Sequence, residues 1–229
     1  MVGDKFSLVC LPFAGGSATA WSGWVGCLGQ GTSVLPYELP GRGGRLAEEL
    51  CVDRQALVAQ IASDLFALQT DNDPLVLMGH SMGATLAYEV ALELGRNVPL
   101  ILTGRCAPGF SGSISADYSD EMLLQRLKRH GGTPAELLQN TELVELILPV
   151  LRADMKLLSD TRERAEFYDC PVLVMGGTND LDVPRTGLEG WRNLCPNTEL
   201  RMIPGGHFFV KDQADSVQAH IRAWLARLL

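Results

Sequence analysis

The chain has 229 residues, of which 46% are hydrophobic and 20% are charged, and its formal net charge is −8. This length and composition fit one folded domain and exclude an intrinsically disordered chain. The negative charge argues against broad binding to nucleic acids or anionic membranes, because both are polyanions. We find no apolar stretch typical of a signal peptide or a membrane span, and the six scattered cysteines indicate reduced thiols in a cytoplasmic protein.

Short apolar runs that alternate with amphipathic segments predict the secondary structure. Runs with few charges, typical of parallel strands covered on both faces, lie at residues 6–11, 33–37, 75–78, 100–103, 172–175 and 198–203. Helical patterns lie at residues 18–28, 53–68, 82–94 and 212–229, and Asp53 is placed to cap the second of them. The alternation predicts an α/β protein with a doubly wound, mostly parallel sheet and helices on both faces.

The stretch from residue 108 to about residue 167 breaks this alternation. It contains no good strand, and helical patterns lie at residues 119–130, 134–139 and 142–158. An insertion of about 60 residues is too long for a simple crossover between two strands. We therefore expect a single domain, residues 1–229, with an inserted helical lid over one end of the sheet. An ordinary set of extra packed helices is the alternative.

Residues 79–83 (GHSMG) fit the pattern Gly-x-Ser-x-Gly and directly follow a predicted strand. They also open the helix predicted from residue 82, so the motif has the strand–turn–helix setting of a nucleophile elbow. Such a turn strains the backbone of its serine, and the glycines let neighbouring backbone approach closely. The motif therefore predicts Ser81 as the nucleophile of a serine hydrolase. The alternative is a glycine-rich turn with an incidental serine.

A serine nucleophile needs a general base, and the base needs an orienting acid. Of the four histidines, His207 follows the last predicted strand, where the α/β-hydrolase fold places its base. Two carboxylates, Asp180 and Asp182, follow the strand at residues 172–175. We favour Asp180, because the strand and two glycines before it aim its side chain at the carboxyl end of that strand. Asp182 stays open as the second candidate.

Acyl transfer also needs two N–H donors for the developing oxyanion. Met82, the residue after the nucleophile, supplies one of them. The other should come from the loop after the first strand, residues 11–17 (LPFAGGS), where small residues let the backbone reach the substrate. Ala14 is our choice and Phe13 is the next. A tight turn that binds no ligand is the alternative.

Five motifs together resemble the type II thioesterases that accompany nonribosomal peptide and polyketide synthases. They lie at residues 11–16 (LPFAGG), 39–43 (LPGRG), 79–83 (GHSMG), 176–180 (GGTND) and 205–209 (GGHFF), and they span nearly the whole chain. The resemblance implies an α/β-hydrolase fold with a helical lid and a catalytic triad of Ser81, Asp180 and His207. It also implies an editing role, in which the enzyme removes acyl groups from the phosphopantetheine arms of carrier proteins.

Carrier proteins of this kind are usually acidic, so a chain of charge −8 needs a local basic or apolar patch to dock one. Arg42, Arg45 and Arg105 lie on loops predicted at the carboxyl ends of the strands, and we name them as candidate carrier contacts. Phe13 and Phe208 are further candidate contacts for the substrate. Solvated arginines or structural salt bridges are the alternative.

The remaining expectations follow from the same residues. We expect no cofactor and no metal, because the histidines are dispersed and no cysteine–histidine cluster exists. Nothing demands more than a monomer. Two catalytic alternatives stay open, a medium-chain fatty acyl thioesterase and a carboxylesterase for small esters, since ester and thioester hydrolysis share one mechanism. A non-catalytic binding protein is the third alternative.

Overall fold

A computed structural model describes residues 6–68, 74–110, 115, 117–131, 138–160 and 163–228. These residues form a six-stranded sheet in the order β2-β1-β3-β4-β5-β6, and every neighbouring pair is parallel. All the predicted strands are confirmed, with small shifts at their ends. The strands are β1 (Phe6–Leu11), β2 (Thr32–Pro36), β3 (Leu75–His80), β4 (Leu100–Thr103), β5 (Val172–Gly177) and β6 (Thr198–Ile203).

Two apolar cores cover the two faces of the sheet, because successive side chains of a strand point to opposite sides. Leu77 of β3 belongs to one core and its neighbour Met78 to the other. The first core also contains side chains of α1 (Arg54–Leu68) and α2 (Met82–Leu94). The second contains side chains of a 3-10 helix (Ala18–Trp24) and of the last helix (Ala214–Leu225). Helices on both faces, as predicted, are therefore confirmed.

Some helix boundaries differ from the predictions. The segment at residues 18–28 is helical only as the 3-10 turn, because Gly26 beyond it has a φ of +79°. The two short helices α5 (Arg185–Glu189) and α6 (Trp191–Leu194) have too few residues to show a periodic pattern. The final helix, predicted at residues 212–229, is observed as α8 (Ala214–Leu225), and the short helix α7 (Phe209–Asp212) before it lies almost wholly outside the prediction.

The cap predicted for α1 is confirmed. The Asp53 carboxylate accepts the N–H groups of Gln55 (2.9 Å) and Ala56 (3.1 Å), which lack partners inside the helix. None of the helices in the described ranges is long and apolar enough to cross a membrane. All six cysteines are free thiols.

Two helices of the predicted insertion lie between β4 and β5. They are α3 (Asp120–His130), capped by Ser119, and α4 (Thr141–Ser159), capped by Asn140. The helix predicted at residues 134–139 lies largely outside the described residues. Several apolar side chains of α4 belong to the core that contains α1 and α2, so α4 is packed against the body of the protein.

The strand order places the functional site. The chain leaves β1 towards β2 on one side, whereas β3 and all later strands lie on the other side of β1. In open α/β sheets ligands bind outside the carboxyl ends of the strands at such a switch point. The loop after β1, residues 12–17, and the turn after β3 meet there; we call the former the β1 loop.

Candidate active site

Ser81 occupies a strained turn between β3 and α2. Its φ is +54° and its ψ is −114°, and among the described residues it is the one non-glycine residue with positive φ. Such a conformation costs about 1–3 kcal/mol and persists only where the surrounding structure enforces it. Here β4 enforces it, since the Ser81 N–H donates to the Thr103 carbonyl (2.8 Å) and the Thr103 hydroxyl donates to the Gly79 carbonyl (3.0 Å).

The two glycines of the elbow are required by close backbone contacts. A Cβ atom on Gly79 would lie 1.9 Å from the carbonyl oxygen of Gly83. A Cβ atom on Gly83 would lie 2.4 Å from the carbonyl oxygen of Leu11. Both obstacles are backbone atoms that cannot rotate away, so only glycine fits, and the start of α2 rests directly against the end of β1.

His207 and Asp180 form a tight pair on the loops after β6 and β5. The Nδ1 atom of His207 lies 2.6 Å from Oδ2 of Asp180, whose Oδ1 accepts the N–H groups of Asp182 (3.0 Å) and Val183 (3.2 Å). Burial opposes ionisation of Asp180, but these hydrogen bonds more than offset it and lower its pKa. The carboxylate therefore stays charged at neutral pH and leaves Nε2 of His207 as the nitrogen available for proton transfer.

Ser81 and His207 line the same pocket, which is partly open to solvent. Among the described residues no hydrogen bond joins the Ser81 hydroxyl to the His207 ring. Such bonds are often long in unliganded enzymes and tighten when substrate binds. The arrangement can thus supply a nucleophile, a base and an acid around one cavity.

Of the two residues predicted for the oxyanion hole, one lines this pocket and the other directly follows Ser81, which lines it. Ala14 lies in its wall, and Met82 is the first residue of α2, directly after Ser81. Neither backbone N–H donates a hydrogen bond to any other group in the described ranges, so both are free to bind a ligand oxygen. Phe13, the second choice, also lines the pocket.

The walls of the pocket are mainly apolar and come largely from the insertion. On the opposite side Phe13 packs edge-on against Phe208, with ring centroids 4.8 Å apart, so both predicted substrate contacts border the cavity. The Lys211 ammonium lies 4.6 Å from the centroid of the Phe13 ring. The insertion contributes Leu123, Arg126, Leu127 and His130 of α3 and Leu151, Met155 and Leu158 of α4.

The structure corrects the expectation for two of the three arginines. Arg42 is buried and binds Asp154 through two hydrogen bonds (2.7 and 2.8 Å), so it does not face a docking partner. Arg105 is also buried and binds Glu163 (3.3 Å). A local sequence cannot show this, because both carboxylates come from distant parts of the chain.

Arg45 is the least buried of the three arginines. Its Nε and Nη2 atoms bind the two carboxylate oxygens of Glu48 (2.6 Å each), three residues further along. It also donates to the Tyr37 hydroxyl (3.3 Å). Its charge is therefore locally neutralised rather than displayed for a partner.

Asp182, the alternative acid, binds α3 instead of His207. Its carboxylate lies 3.1 Å from Nε2 of His130 and 3.6 Å from Arg126, and it forms an ion pair with Arg129. The His130 ring in turn lies 4.7 Å from the His207 ring, measured between centroids. Burial and the neighbouring charges of His207 and Arg126 lower the pKa of His130 to about 4, so it is neutral at pH 7.

Two residues at this site were missed from the sequence. His130 lies in the insertion, far from His207 in the sequence, and nothing local to it indicates that it reaches His207. Asp154 did carry a signal, because a carboxylate lies there on the apolar face of α4, between Leu151 and Leu158. In the described residues no group of three or more histidine, cysteine or acidic side chains is arranged to bind a metal.

This combination defines the class of protein. A parallel sheet of this order, an elbow after β3, and an acid and a histidine on the loops after β5 and β6 are the α/β-hydrolase fold. The chain belongs to the thioesterase domain family, whose model, described as "Thioesterase domain", matches residues 6–225. It is therefore a hydrolase of thioesters.

Known proteins support this membership across most of their length. The gramicidin S biosynthesis protein GrsT of Aneurinibacillus migulanus is 34% identical, over 90% of this chain and 83% of its own. The medium-chain S-acyl fatty acid synthase thioesterase of Homo sapiens is 30% identical, over 92% of this chain and 83% of its own. The structure of the type II thioesterase BorB from the borrelidin biosynthetic cluster superposes with a TM-score of 0.85 at 32% identity, covering 96% of this chain and 92% of BorB.

Proposed function

We propose that this protein is a type II thioesterase that removes acyl groups from the phosphopantetheine arms of carrier proteins in a biosynthetic synthase. The observation that carries the proposal is the shared pocket of Ser81 and His207, whose apolar walls suit an acyl chain. The similarity to BorB, a type II thioesterase by name, and to GrsT supports the same assignment.

The reaction begins with attack of Ser81 on the thioester carbonyl. His207 takes the hydroxyl proton on Nε2, while Asp180, bound to Nδ1, stabilises the imidazolium that forms. The negative charge that develops on the carbonyl oxygen is bound by the N–H groups of Ala14 and Met82. The thiolate is a good leaving group, so protonation by His207 is less demanding here than in amide cleavage.

Water then completes the cycle. His207 removes a proton from the water molecule as it attacks the acyl-Ser81 ester, and the same N–H groups bind the second tetrahedral intermediate. Collapse of this intermediate releases the carboxylic acid and returns the proton to Ser81. These steps need no cofactor or metal.

Further parts of the proposal concern the surroundings of the site. We assign the insertion, residues 108–167, the role of a lid, since α3 and α4 form much of the pocket wall. The partner is a carrier protein rather than a nucleic acid or a membrane, and the enzyme acts as a monomer in the cytoplasm. Arg42 and Arg105 are buried and cannot contact a carrier protein. We therefore assign carrier docking to the surface around the mouth of the pocket.

A second candidate is hydrolysis of medium-chain fatty acyl thioesters. The similarity to the human enzyme of that description and the apolar pocket both favour it. The chemistry is the same, so the two candidates differ only in carrier and chain length. Rates on acyl carriers from two to twelve carbons, measured on fatty acid and peptide or polyketide carriers, separate them.

The test uses a panel of acyl-phosphopantetheine carriers with wild type and Ser81→Ala. We expect wild type to release free acid from carriers, with kcat/KM well above that for p-nitrophenyl esters, and Ser81→Ala to be inactive. A fluorophosphonate should label wild type but not Ser81→Ala. Equal labelling of both would overturn the nucleophile, and a preference for free small esters would point to a carboxylesterase.

A further inference from the structure

A buried ion pair lies directly beneath the β1 loop. Arg42 follows β2, and Asp154 lies on α4 with none of its surface exposed. The guanidinium binds the carboxylate in a two-pronged arrangement (2.7 and 2.8 Å). Complete burial raises the pKa of Asp154, which the contacts from Arg42 and the Gly15 N–H oppose. A buried pair of this kind adds little net stability compared with apolar residues, so its presence calls for another explanation.

Both members of the pair also bind the backbone of the β1 loop. Oδ2 of Asp154 accepts the N–H of Gly15 at 2.7 Å, and Arg42 donates to the carbonyl of Gly16 at 3.2 Å. The side chain of Leu151 on α4 packs on the same point, because a Cβ atom on Gly15 would lie only 2.8 Å from it. The loop is therefore held by side chains of α4 at Gly15 and by Arg42 at Gly16.

These contacts surround the peptide group that carries the Ala14 N–H. The carbonyl oxygen of that peptide belongs to Phe13 and accepts the N–H of Gly16 at 2.8 Å. The carbonyl of Gly16 accepts a hydrogen bond from Arg42, and the N–H of Gly16 donates to the carbonyl of Phe13. On the other side of Ala14, the next N–H, that of Gly15, is bound by Asp154. The direction of the Ala14 N–H is therefore fixed through the carbonyl of its own peptide group and through the next peptide group along the chain.

We propose that Arg42 and Asp154 are positioning residues that aim the Ala14 N–H at the substrate oxyanion. This inference rests on the proposed function, in which Ala14 is an oxyanion donor. It gives Arg42 a role in the chemistry that needs no contact with the carrier. It also makes the 151–155 segment of α4 a fixed part of the catalytic centre, whatever the rest of the insertion does.

The inference predicts a specific kinetic signature. A donor that binds charge only in the transition state affects kcat, whereas substrate binding and KM are nearly unchanged. In Asp154→Asn an amide NH2 replaces one of the two carboxylate oxygens, so a donor faces the Arg42 guanidinium or, with the amide turned over, both Arg42 and the Gly15 N–H. The loop should therefore shift. A misplacement of about 1 Å at a catalytic group costs roughly 100-fold in rate. We therefore expect kcat of Asp154→Asn to fall roughly 10- to 100-fold, and that of Arg42→Lys to fall less.

A double variant separates positioning from stability. Arg42→Met combined with Asp154→Leu leaves no unpaired buried charge, so its unfolding free energy should return towards that of wild type. It still lacks the acceptor for Gly15, so its kcat should stay low. The matched control is Arg54→Met combined with Glu89→Leu. Arg54 and Glu89 form an equally buried ion pair (3.1 Å), and Arg54 also binds α4 through the Leu157 carbonyl (2.9 Å), but neither touches the β1 loop.

The experiment measures urea unfolding, kcat and KM for an octanoyl-N-acetylcysteamine thioester, and inhibition by an octyl trifluoromethyl ketone. That ketone forms an adduct with Ser81 whose oxyanion occupies the proposed hole. We expect both Asp154 variants to lose inhibitor affinity in proportion to their loss of kcat, while KM stays within about threefold of the wild-type value. The control pair should keep the wild-type kcat and inhibitor affinity. Should the double variant recover kcat together with stability, or should the control pair lose as much kcat, the positioning role is overturned.

Failure of this inference differs from failure of the proposed function. If Ser81→Ala abolishes hydrolysis while Asp154→Asn and Arg42→Lys keep wild-type kcat and inhibitor affinity, only the positioning role is wrong. If Ser81→Ala hydrolyses the thioester as fast as wild type, the proposed function fails first. Where the double variant does not fold, Asp154→Asn and Arg42→Lys decide the question through the split between kcat and KM.

Discussion

Asp180 and Asp182 stand two residues apart on the loop after β5, yet their carboxylates bind different parts of the protein. Asp180 binds the His207 ring at 2.6 Å, whereas Asp182 binds His130, Arg126 and Arg129 on α3. One carboxylate is therefore suited to orient the base, and the other joins the loop to the insertion.

The two aspartates give a direct test of the acid. Asp180→Asn keeps the shape of the side chain but cannot stabilise the imidazolium, and we expect kcat to fall about 10⁴-fold. Asp182→Asn removes only contacts to α3, and we expect kcat within about tenfold of wild type, because surface ion pairs contribute little. Steady-state kinetics on one acyl thioester measures both. A larger loss for Asp182→Asn than for Asp180→Asn would reassign the acid.

The elbow glycines should tolerate no side chain. Gly79→Ala places a Cβ atom 1.9 Å from the Gly83 carbonyl, so the turn must open. We expect a loss of about 3 kcal/mol or more in unfolding free energy, because backbone cannot give way as a side chain can. Gly23→Ala is the control, since a Cβ atom there meets nothing within 4 Å. Urea unfolding compares them, and equal stability of the two variants would contradict the described elbow.

The lowered pKa of His130 predicts how stability depends on pH. The folded protein protonates His130 near pH 4, whereas the ordinary value is 6.5, so between these values the unfolded chain binds the extra proton. Stability should therefore rise with pH across that window. His130→Gln removes this contribution and should flatten the rise. Unfolding free energies measured at intervals from pH 4 to pH 7 test it.

The control for this measurement is His220→Gln on α8. His220 does not line the pocket of Ser81 and does not contact Asp182. This control shows how far the loss of a histidine away from this contact changes the profile, and the flattening for His130→Gln should exceed that change. If His130→Gln keeps the wild-type slope, or makes it steeper, the buried neutral state assigned to His130 is wrong.

The apolar wall of α3 should set the acyl chain length. Leu127 lines the pocket, so Leu127→Trp fills part of the space that a long chain would occupy. Each buried methylene contributes about 0.8 kcal/mol, so losing two of them should lower kcat/KM for a dodecanoyl thioester roughly tenfold relative to a butanoyl thioester. Leu146→Trp on α4 is the control, because Leu146 is 70% exposed. An unchanged chain-length profile for Leu127→Trp would place the acyl chain elsewhere.

Much of the fold could be predicted because its signals are local. Each of the strands β1, β3 and β4 is one uninterrupted run with few charges, and helix α2 is one uninterrupted apolar run. The alternation of such strands and helices leaves few possible topologies. The short helices α5 and α6 escaped prediction, because a helix of one turn has no periodicity to detect. The 3-10 turn at Ala18–Trp24 was predicted as a longer helix, since apolar spacing alone does not register the glycine that ends it.

The arginines show where local inference stopped. A positive residue on an active-site loop looks the same in sequence whether it faces solvent or a buried carboxylate. The partner of Arg42 lies 112 positions away, on a helix of the insertion. Only packing of α4 against the β1 loop brings the two together, so the interpretation of Arg42 as a carrier contact had no local evidence against it.

The sequence by itself determined the sheet class, the elbow around Ser81 and the short list of bases and acids, because each depends on residue types at fixed spacing along the chain. Tertiary structure alone decided that Asp180 rather than Asp182 lies against His207, and that the His130 ring packs beside the His207 ring. It also decided that Arg42 and Asp154 hold the β1 loop. The physical reason is that these side chains come from segments far apart in sequence. Their contacts are chosen by how the helices of the insertion pack over the carboxyl ends of the strands.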